Sequence, residues 1–132
     1  MTVTKKGDYI VTAASDKENQ YSEVSVWPID SSSPVCRVPA DGYIVHQIEC
    51  SPDNRYLLCT ASNGGFLVFR RDDRPGEPFS LVQAHEQTRA GALRSCSWAH
   101  DSKYFATGSE EKTDSLEFWS QNSEDGQFLE HS

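Results

Sequence analysis

One unit occurs three times in the sequence, and this repeat restricts the possible folds more than any other feature. The three copies align on Tyr9, Tyr56 and Tyr104, which lie 47 and 48 residues apart. Seven residues beyond each tyrosine stands an acid or an amide, namely Asp16, Asn63 and Glu111. A later run in each copy ends on an aromatic residue, at Trp27, Phe69 and Trp119. Because internal repeats with periods of about 20–50 residues are typical of stacked structural units, the chain is expected to contain three such units.

The repeated segments have the character of β-strands. Runs such as 56–61 and 66–69 are short, apolar or β-branched, and bounded by turn residues. They are apolar on both faces, which predicts sheets that are buried on both faces. Innermost strands are predicted at 46–50 and 93–98, and outer strands at 34–38, 79–82 and 127–130. No segment shows sustained helical periodicity, so the sequence predicts an all-β protein with about three four-stranded units over residues 1–38, 39–84 and 85–131.

The repeat resembles the blades of WD-repeat β-propellers, whose period is usually about 40–45 residues. That resemblance implies a buried hydrogen-bonded network in each blade, formed by a His, a Ser or Thr, an Asp and a Trp. In the third repeat the candidates are His85, Thr107, Glu111 and Trp119. In the first repeat they are Thr12, Asp16 and Trp27, and in the second the pattern weakens to Cys59, Asn63 and Phe69. We therefore interpret His85 as a structural residue in preference to a ligand or catalyst.

Charge and cysteine content favour some classes of partner over others. The formal net charge is −8, which argues against direct binding to nucleic acid or to anionic membranes. Arg70, Arg71 and Arg74 form a local basic group that we interpret as a solvated loop. The four cysteines form no Cys-x-x-Cys pair, and no signal peptide or membrane-spanning run is evident. These features predict a reducing compartment, the cytoplasm or additionally the nucleus.

A closer resemblance is to the WD-repeat subunits of the Elongator complex. It is carried by residues 51–58 and 79–82 and by the run Ser-Cys-Ser-Trp-Ala-His-Asp-Ser-Lys-Tyr-Phe-Ala-Thr-Gly-Ser at 95–109, and it extends over residues 1 to about 120. The resemblance implies a non-catalytic scaffold that binds the largest and the catalytic Elongator subunits and so supports modification of wobble uridines in tRNA. The turns at 61–65 and 109–113 lack most of the basic residues usual in that family, which argues against contact with RNA.

Three blades are too few to close a propeller ring, which typically has about four to eight. An open stack exposes two apolar blade faces, and exposed apolar faces promote association. We therefore expect the chain to be part of a larger scaffold. Two other interpretations remain at this point: a WD-repeat adaptor in another assembly, and a truncated fragment without function.

The sequence does not predict an enzyme. It contains no Gly-x-Ser-x-Gly elbow, no phosphate-binding glycine loop and no His-Glu-x-x-His motif. His46 with Cys50, and Cys96 with His100, resemble spaced metal ligands. Residues four apart on a strand are separated by about 13 Å, however, whereas zinc ligands lie about 2–2.3 Å from the ion. We predict no catalytic residue, metal, cofactor or small-molecule substrate.

Overall fold

A computed structural model describes residues 2–3, 7–16, 18–19, 21–61, 65–74, 77–85, 93–109, 116–121 and 127–131. The first sheet contains β1 (Thr2–Val3), β2 (Tyr9–Asp16), β3 (Tyr21–Pro28) and β4 (Cys36–Asp41). The second contains β5 (Val45–Cys50), β6 (Tyr56–Ala61), β7 (Phe66–Arg74) and β8 (Glu77–His85). The third contains β9 (Leu93–Trp98), β10 (Tyr104–Ser109), β11 (Leu116–Gln121) and β12 (Phe128–His131).

Each sheet is an antiparallel meander in which the strands are neighbours in chain order. The prediction of an all-β chain with three four-stranded blades and an open ring is confirmed. The sequence did not reveal β1, because its two residues carry no periodic signal. The outer strands also differ from the predicted ranges. The first sheet ends at Asp41, three residues after position 38, and the outer strand of the second sheet extends to His85.

The three blades share the same backbone turn before the repeat tyrosine. The residue two positions before it has a positive φ in each copy: 72° at Gly7, 67° at Asn54 and 62° at Ser102. This conformation suits glycine best and asparagine well, whereas it is uncommon for serine. A backbone hydrogen bond is also shared by the three blades. Its donor is the N–H of the residue two positions after the third-strand aromatic, and its acceptor is the carbonyl of the residue before the tyrosine. It joins Ile29 to Asp8, Arg71 to Arg55 and Gln121 to Lys103, at 2.9, 2.7 and 3.0 Å.

Two apolar cores lie between the three sheets. Between the first and second sheets the core contains Val11, Val24, Val26, Leu57, Phe69 and Phe79. Between the second and third sheets it contains Leu58, Phe66, Val68, Phe105, Trp119 and Phe128. The middle sheet therefore supplies both cores, because alternate residues of a strand face opposite sides. Leu57 and Leu58, which are adjacent on β6, are both fully buried, as predicted for a sheet covered on both faces.

Candidate functional site

In the first sheet the structure joins two of the predicted network residues. The indole Nε1 of Trp27 donates a hydrogen bond of 2.9 Å to Oγ1 of Thr12. Asp16 lies at the end of β2, where its carboxylate accepts bonds from the backbone N–H of Glu18 and from the side chain of Asn19, at 3.1 and 2.7 Å. The bond from Asn19 lowers the pKa of the exposed Asp16 carboxyl. Asp16 therefore closes the β2–β3 turn.

In the third blade the structure brings three predicted residues together. Trp119 Nε1 donates a 3.2 Å hydrogen bond to Thr107 Oγ1, and the two residues are 3% and 1% exposed. The His85 ring lies edge-on to the Trp119 ring, with centroids 4.7 Å apart, and stacks on Phe66 at 4.8 Å. His85 belongs to the second sheet, so these contacts link two blades. The fourth predicted member, Glu111, lies outside the described residues.

The first and third blades each have a hydrogen-bonded Trp–Thr pair, and at these two positions the second blade has an aromatic ring without a polar group and a thiol. Cys59 and Phe69 are buried in the first core, and Asn63 lies outside the described residues. Burial raises the pKa of the Cys59 thiol far above its usual range, and the neighbouring Cys96 adds to this effect. Burial likewise raises the pKa of Cys96 to about 12. Burial thus favours the protonated form of both thiols, which is the less nucleophilic form.

Arg71 connects the first blade to the second through an ion pair. Its guanidinium forms a two-point ion pair with the carboxylate of Asp8, in which Nη2 meets Oδ2 and Nη1 lies 3.2 Å from Oδ1. The guanidinium carbon also lies 5.3 Å from the centre of the Tyr9 ring and 5.8 Å from that of Phe79. The Arg71 side chain is only 8% exposed, so its interpretation as part of a solvated loop is wrong. The repeat had aligned this position without indicating a role for it.

The other two arginines of that group behave differently. Arg70 is on the opposite face of β7, half-exposed, and pairs with Asp72 at 2.9 Å. The side chain of Arg74 lies outside the described part of the structure. Among the described residues of this group, Arg71 alone is seen to connect two blades. It lies two residues after Phe69, on the face of β7 that faces the first sheet.

The junction between the second and third blades uses the same positions with different chemistry. Gln121, which occupies the place of Arg71, donates a 2.7 Å hydrogen bond from Nε2 to the hydroxyl of Tyr56. The Tyr56 ring stacks on Trp98 at 6.0 Å and lies edge-on to Phe128 at 5.6 Å. Trp98 in turn donates from Nε1 to the carbonyl of Glu49 at 3.2 Å. The repeat tyrosine thus takes part in both blade junctions.

The structure bears on metal binding in the part of the chain that it describes. Within it, no three His, Cys, Asp or Glu side chains lie together in a way that could hold a metal ion. None of the four cysteines forms a disulfide bond; Cys36 is partly accessible and the other three are buried. None of the described segments forms a helix long and apolar enough to cross a bilayer.

This geometry is that of β-propeller blades: four-stranded meanders stacked face to face, in an arc of three that does not close. Residues 76–116, which span the outer strand of the second sheet and the first two strands of the third, match the family described as WD domain, G-beta repeat. Over most of its length the chain is similar to Elongator complex protein 2. It is 24% identical to the rat protein and 23% identical to the human protein, each over 119 residues.

These relatives are much longer than the chain. The rat and human alignments cover 85% of this chain but only 14% of each relative. Among solved structures, the β-propeller domain of Myceliophteria thermophila Cps50 (Swd1) superposes with a TM-score of 0.77 at 12% identity, covering 97% of this chain and 40% of that one. A putative 6-phosphogluconolactonase from Bacteroides fragilis superposes with a TM-score of 0.70 at 15% identity, covering 98% and 36%. At such identities the likeness establishes the fold alone.

Proposed function

We propose that the chain is a non-catalytic scaffold module of an Elongator-type complex. In this role it binds the largest and the catalytic subunits and so supports modification of wobble uridines in tRNA. The observation that carries the proposal is the extent of the similarity to Elongator complex protein 2, which covers 85% of the chain and so spans all three sheets. A match confined to one WD repeat would favour no particular assembly.

The physical character of the chain supports a scaffold. Its two blade junctions are fixed by the Arg71–Asp8 ion pair and by the Gln121–Tyr56 hydrogen bond, each with aromatic contacts around it. Such junctions join neighbouring sheets to each other, as a scaffold requires. The net charge of −8 suits basic protein surfaces and disfavours direct contact with the tRNA backbone. Cysteines without disulfide bonds are consistent with the cytoplasm, or additionally the nucleus, as the proposed place of action.

Co-purification with purified subunits tests the proposal. The tagged chain is mixed separately with the largest and with the catalytic Elongator subunit of the same organism, and a three-blade segment of an unrelated WD-repeat protein serves as the matched control. We expect the chain to retain at least one of the two subunits and the control segment to retain neither. Retention of neither subunit by the chain contradicts the proposal, and binding to a different assembly instead favours a WD-repeat adaptor outside Elongator.

A lactone hydrolysis assay addresses the enzymes among the structural neighbours. The similarity to the Bacteroides fragilis lactonase is 15% in sequence and therefore concerns the fold. A scaffold is expected to hydrolyse 6-phosphogluconolactone no faster than buffer does. Turnover that co-purifies with the chain and disappears when the chain is unfolded contradicts a purely structural role.

A further inference from the structure

The dipeptide Ser-Pro occurs twice in the sequence, at Ser33-Pro34 and at Ser51-Pro52. One class of protein kinases transfers phosphate to a serine that a proline follows. Proline has no backbone N–H and keeps the residue before it extended, so the pair has a conformation that such an enzyme can recognise. Because the two copies have the same local chemistry, their accessibility in the fold decides which of them a kinase can reach.

Ser33 lies in the connection between β3 and β4. Residues 29–35 form this loop, which extends beyond the ends of the two strands and so belongs to neither face of the first sheet. The Ser33 N–H donates to Oγ of Ser31 at 3.2 Å, and the Ser31 hydroxyl donates to the Ser33 carbonyl at 2.9 Å. Ser33 is exposed, and no partner of its own hydroxyl is seen among the described residues. The Ser33 hydroxyl is therefore available to an enzyme without any change in the strands.

Ser51 has the opposite environment. It is 0% exposed, and its hydroxyl donates a 2.7 Å hydrogen bond to the carboxylate of Asp53. The same oxygen accepts a 2.9 Å bond from the backbone N–H of Tyr56, so Ser51 closes the turn between β5 and β6. Transfer of a phosphoryl group to this oxygen would require the turn to open. The fold thus leaves Ser33 accessible and withdraws Ser51, although both precede a proline.

We propose that Ser33 is a phosphorylation site for a proline-directed serine kinase that uses ATP. In this reaction Ser33 Oγ forms a bond to the γ-phosphorus of ATP, ADP leaves with the electron pair of the broken P–O bond, and the hydroxyl proton passes to the base of the kinase. The phosphate brings a charge of about −1.5 to −2 close to Asp30, so the modified loop favours a basic surface of a partner. This inference is independent of the scaffold function, since it concerns the folded chain alone.

Treatment of the folded 132-residue chain with a purified mitogen-activated protein kinase and Mg-ATP is the first test. Peptides with residues 28–38 and 46–56 serve as unfolded references for the two Ser-Pro pairs. We expect both peptides to be phosphorylated, and the folded chain to be phosphorylated at Ser33 and not at Ser51, as located by tandem mass spectrometry. A folded chain that stays unmodified overturns the proposal, and so does a folded chain that carries its phosphate on Ser51.

Single replacements in the loop separate the role of the proline from that of the serines. Ser33→Ala is expected to abolish phosphate incorporation, whereas Ser32→Ala removes an exposed serine that no proline follows and is expected to leave incorporation unchanged. Pro34→Ala keeps the Ser33 hydroxyl and is expected to slow its modification by about tenfold or more, because alanine brings a backbone N–H that a pocket for proline leaves without a partner. Equal rates for Pro34→Ala and the parent chain overturn recognition by a proline-directed enzyme.

The state of the phosphorylated product is the second readout. Because Ser33 is exposed in a loop between strands, its phosphate is expected to leave the far-ultraviolet spectrum and the thermal midpoint of the chain unchanged. Circular dichroism of the purified product, compared with the untreated chain, measures both. An unfolded product would show that the kinase had acted on the unfolded chain, and would overturn the assignment of the folded loop as the substrate.

Discussion

The side-chain amide of Gln83 binds both backbone groups of Phe128. Gln83 Nε2 donates to the Phe128 carbonyl at 2.8 Å, and the Phe128 N–H donates to Gln83 Oε1 at 2.7 Å. Gln83 belongs to β8 and Phe128 to β12, the outer strands of adjacent blades. An amide side chain can present one acceptor and one donor side by side, as a neighbouring strand would. Gln83 thus satisfies one residue of a sheet edge that would otherwise be open to pairing with other chains.

Replacing Gln83 tests the importance of this contact. Gln83→Leu removes both partners of Phe128, so we expect the free energy of unfolding to fall by about 2 kcal/mol. Gln127→Leu removes the bond from Gln127 Nε2 to the Val82 carbonyl at 2.9 Å and is expected to cost about 1 kcal/mol. Urea unfolding of the two variants and the parent protein measures the difference. Equal effects would show that the paired geometry at Phe128 adds nothing.

The Arg71–Asp8 ion pair predicts a contrast between two adjacent arginines. Arg71→Met breaks a two-point pair in which the arginine is 8% exposed, and we expect a loss of about 2 kcal/mol. Arg70→Met breaks a pair whose arginine is 51% exposed, and solvent screening limits its expected cost to less than about 1 kcal/mol. Arg71→Lys should recover only part of the loss, because an ammonium cannot bind a carboxylate through a planar fork. Thermal unfolding followed by circular dichroism separates these cases, and similar midpoints for Arg70→Met and Arg71→Met would contradict the role of the pair.

Two threonines with opposite environments give a third prediction. Thr107 Oγ1 accepts the bond from Trp119, whereas the buried Thr60 hydroxyl has no hydrogen-bond partner among the described residues. Replacing a buried hydroxyl by a methyl group of similar size costs free energy only where a bond is lost. Thr107→Val is therefore expected to lower the free energy of unfolding by about 1–2 kcal/mol, and Thr60→Val to raise it by up to about 1 kcal/mol. A destabilised Thr60→Val protein would show that its hydroxyl is bound.

The sequence predicted the fold well because the repeat and the strand periodicity report directly on it. Tyr9, Tyr56 and Tyr104 marked three equivalent strands, and the Trp–Thr pairs of the first and third blades lie where the aligned positions placed them. The contacts between blades were not predictable in the same way. The same positions contact each other at both junctions, but the residue types change from Arg71 and Tyr9 at one junction to Gln121 and Tyr56 at the other, so the repeat does not predict the chemistry of the contact.

The interpretation of Arg71 illustrates this limit. Its local sequence, Arg-Arg-Asp-Asp-Arg, has the composition of a solvated loop. Its burial comes from Asp8, Tyr9 and Phe79, two of which lie more than sixty residues earlier in the chain. Gln83 and Gln121 illustrate the same limit. The sequence around a glutamine does not distinguish a solvated amide from one that binds a distant backbone or tyrosine.

The buried thiols predict how stability depends on alkaline pH. The pKa of Cys96 rises, through burial and then through the charge of Glu49, to about 12 in the folded protein, while an unfolded thiol titrates near about 8.5. Because the unfolded chain then releases its proton first, the contribution of Cys96 to stability is complete below about pH 8.5 and is lost as pH rises toward the folded pKa, by up to about 1.4 kcal/mol per pH unit. Cys59 changes stability in the same direction.

A matched pair of variants isolates this contribution from the tyrosines and lysines that titrate in the same range. The free energy of unfolding is measured by urea between pH 7 and 10.5 for the parent, for Cys96→Ala and for Cys36→Ala, since Cys36 is partly accessible. Cys96→Ala is expected to have a lower free energy of unfolding than the parent at pH 7, because it leaves a cavity. Above about pH 8.5 its free energy of unfolding is expected to fall less steeply with pH than that of the parent. Cys36→Ala is the control, because it removes a partly accessible thiol in place of a buried one. Parallel curves for all three proteins would mean that Cys96 ionises equally easily in the folded and unfolded states.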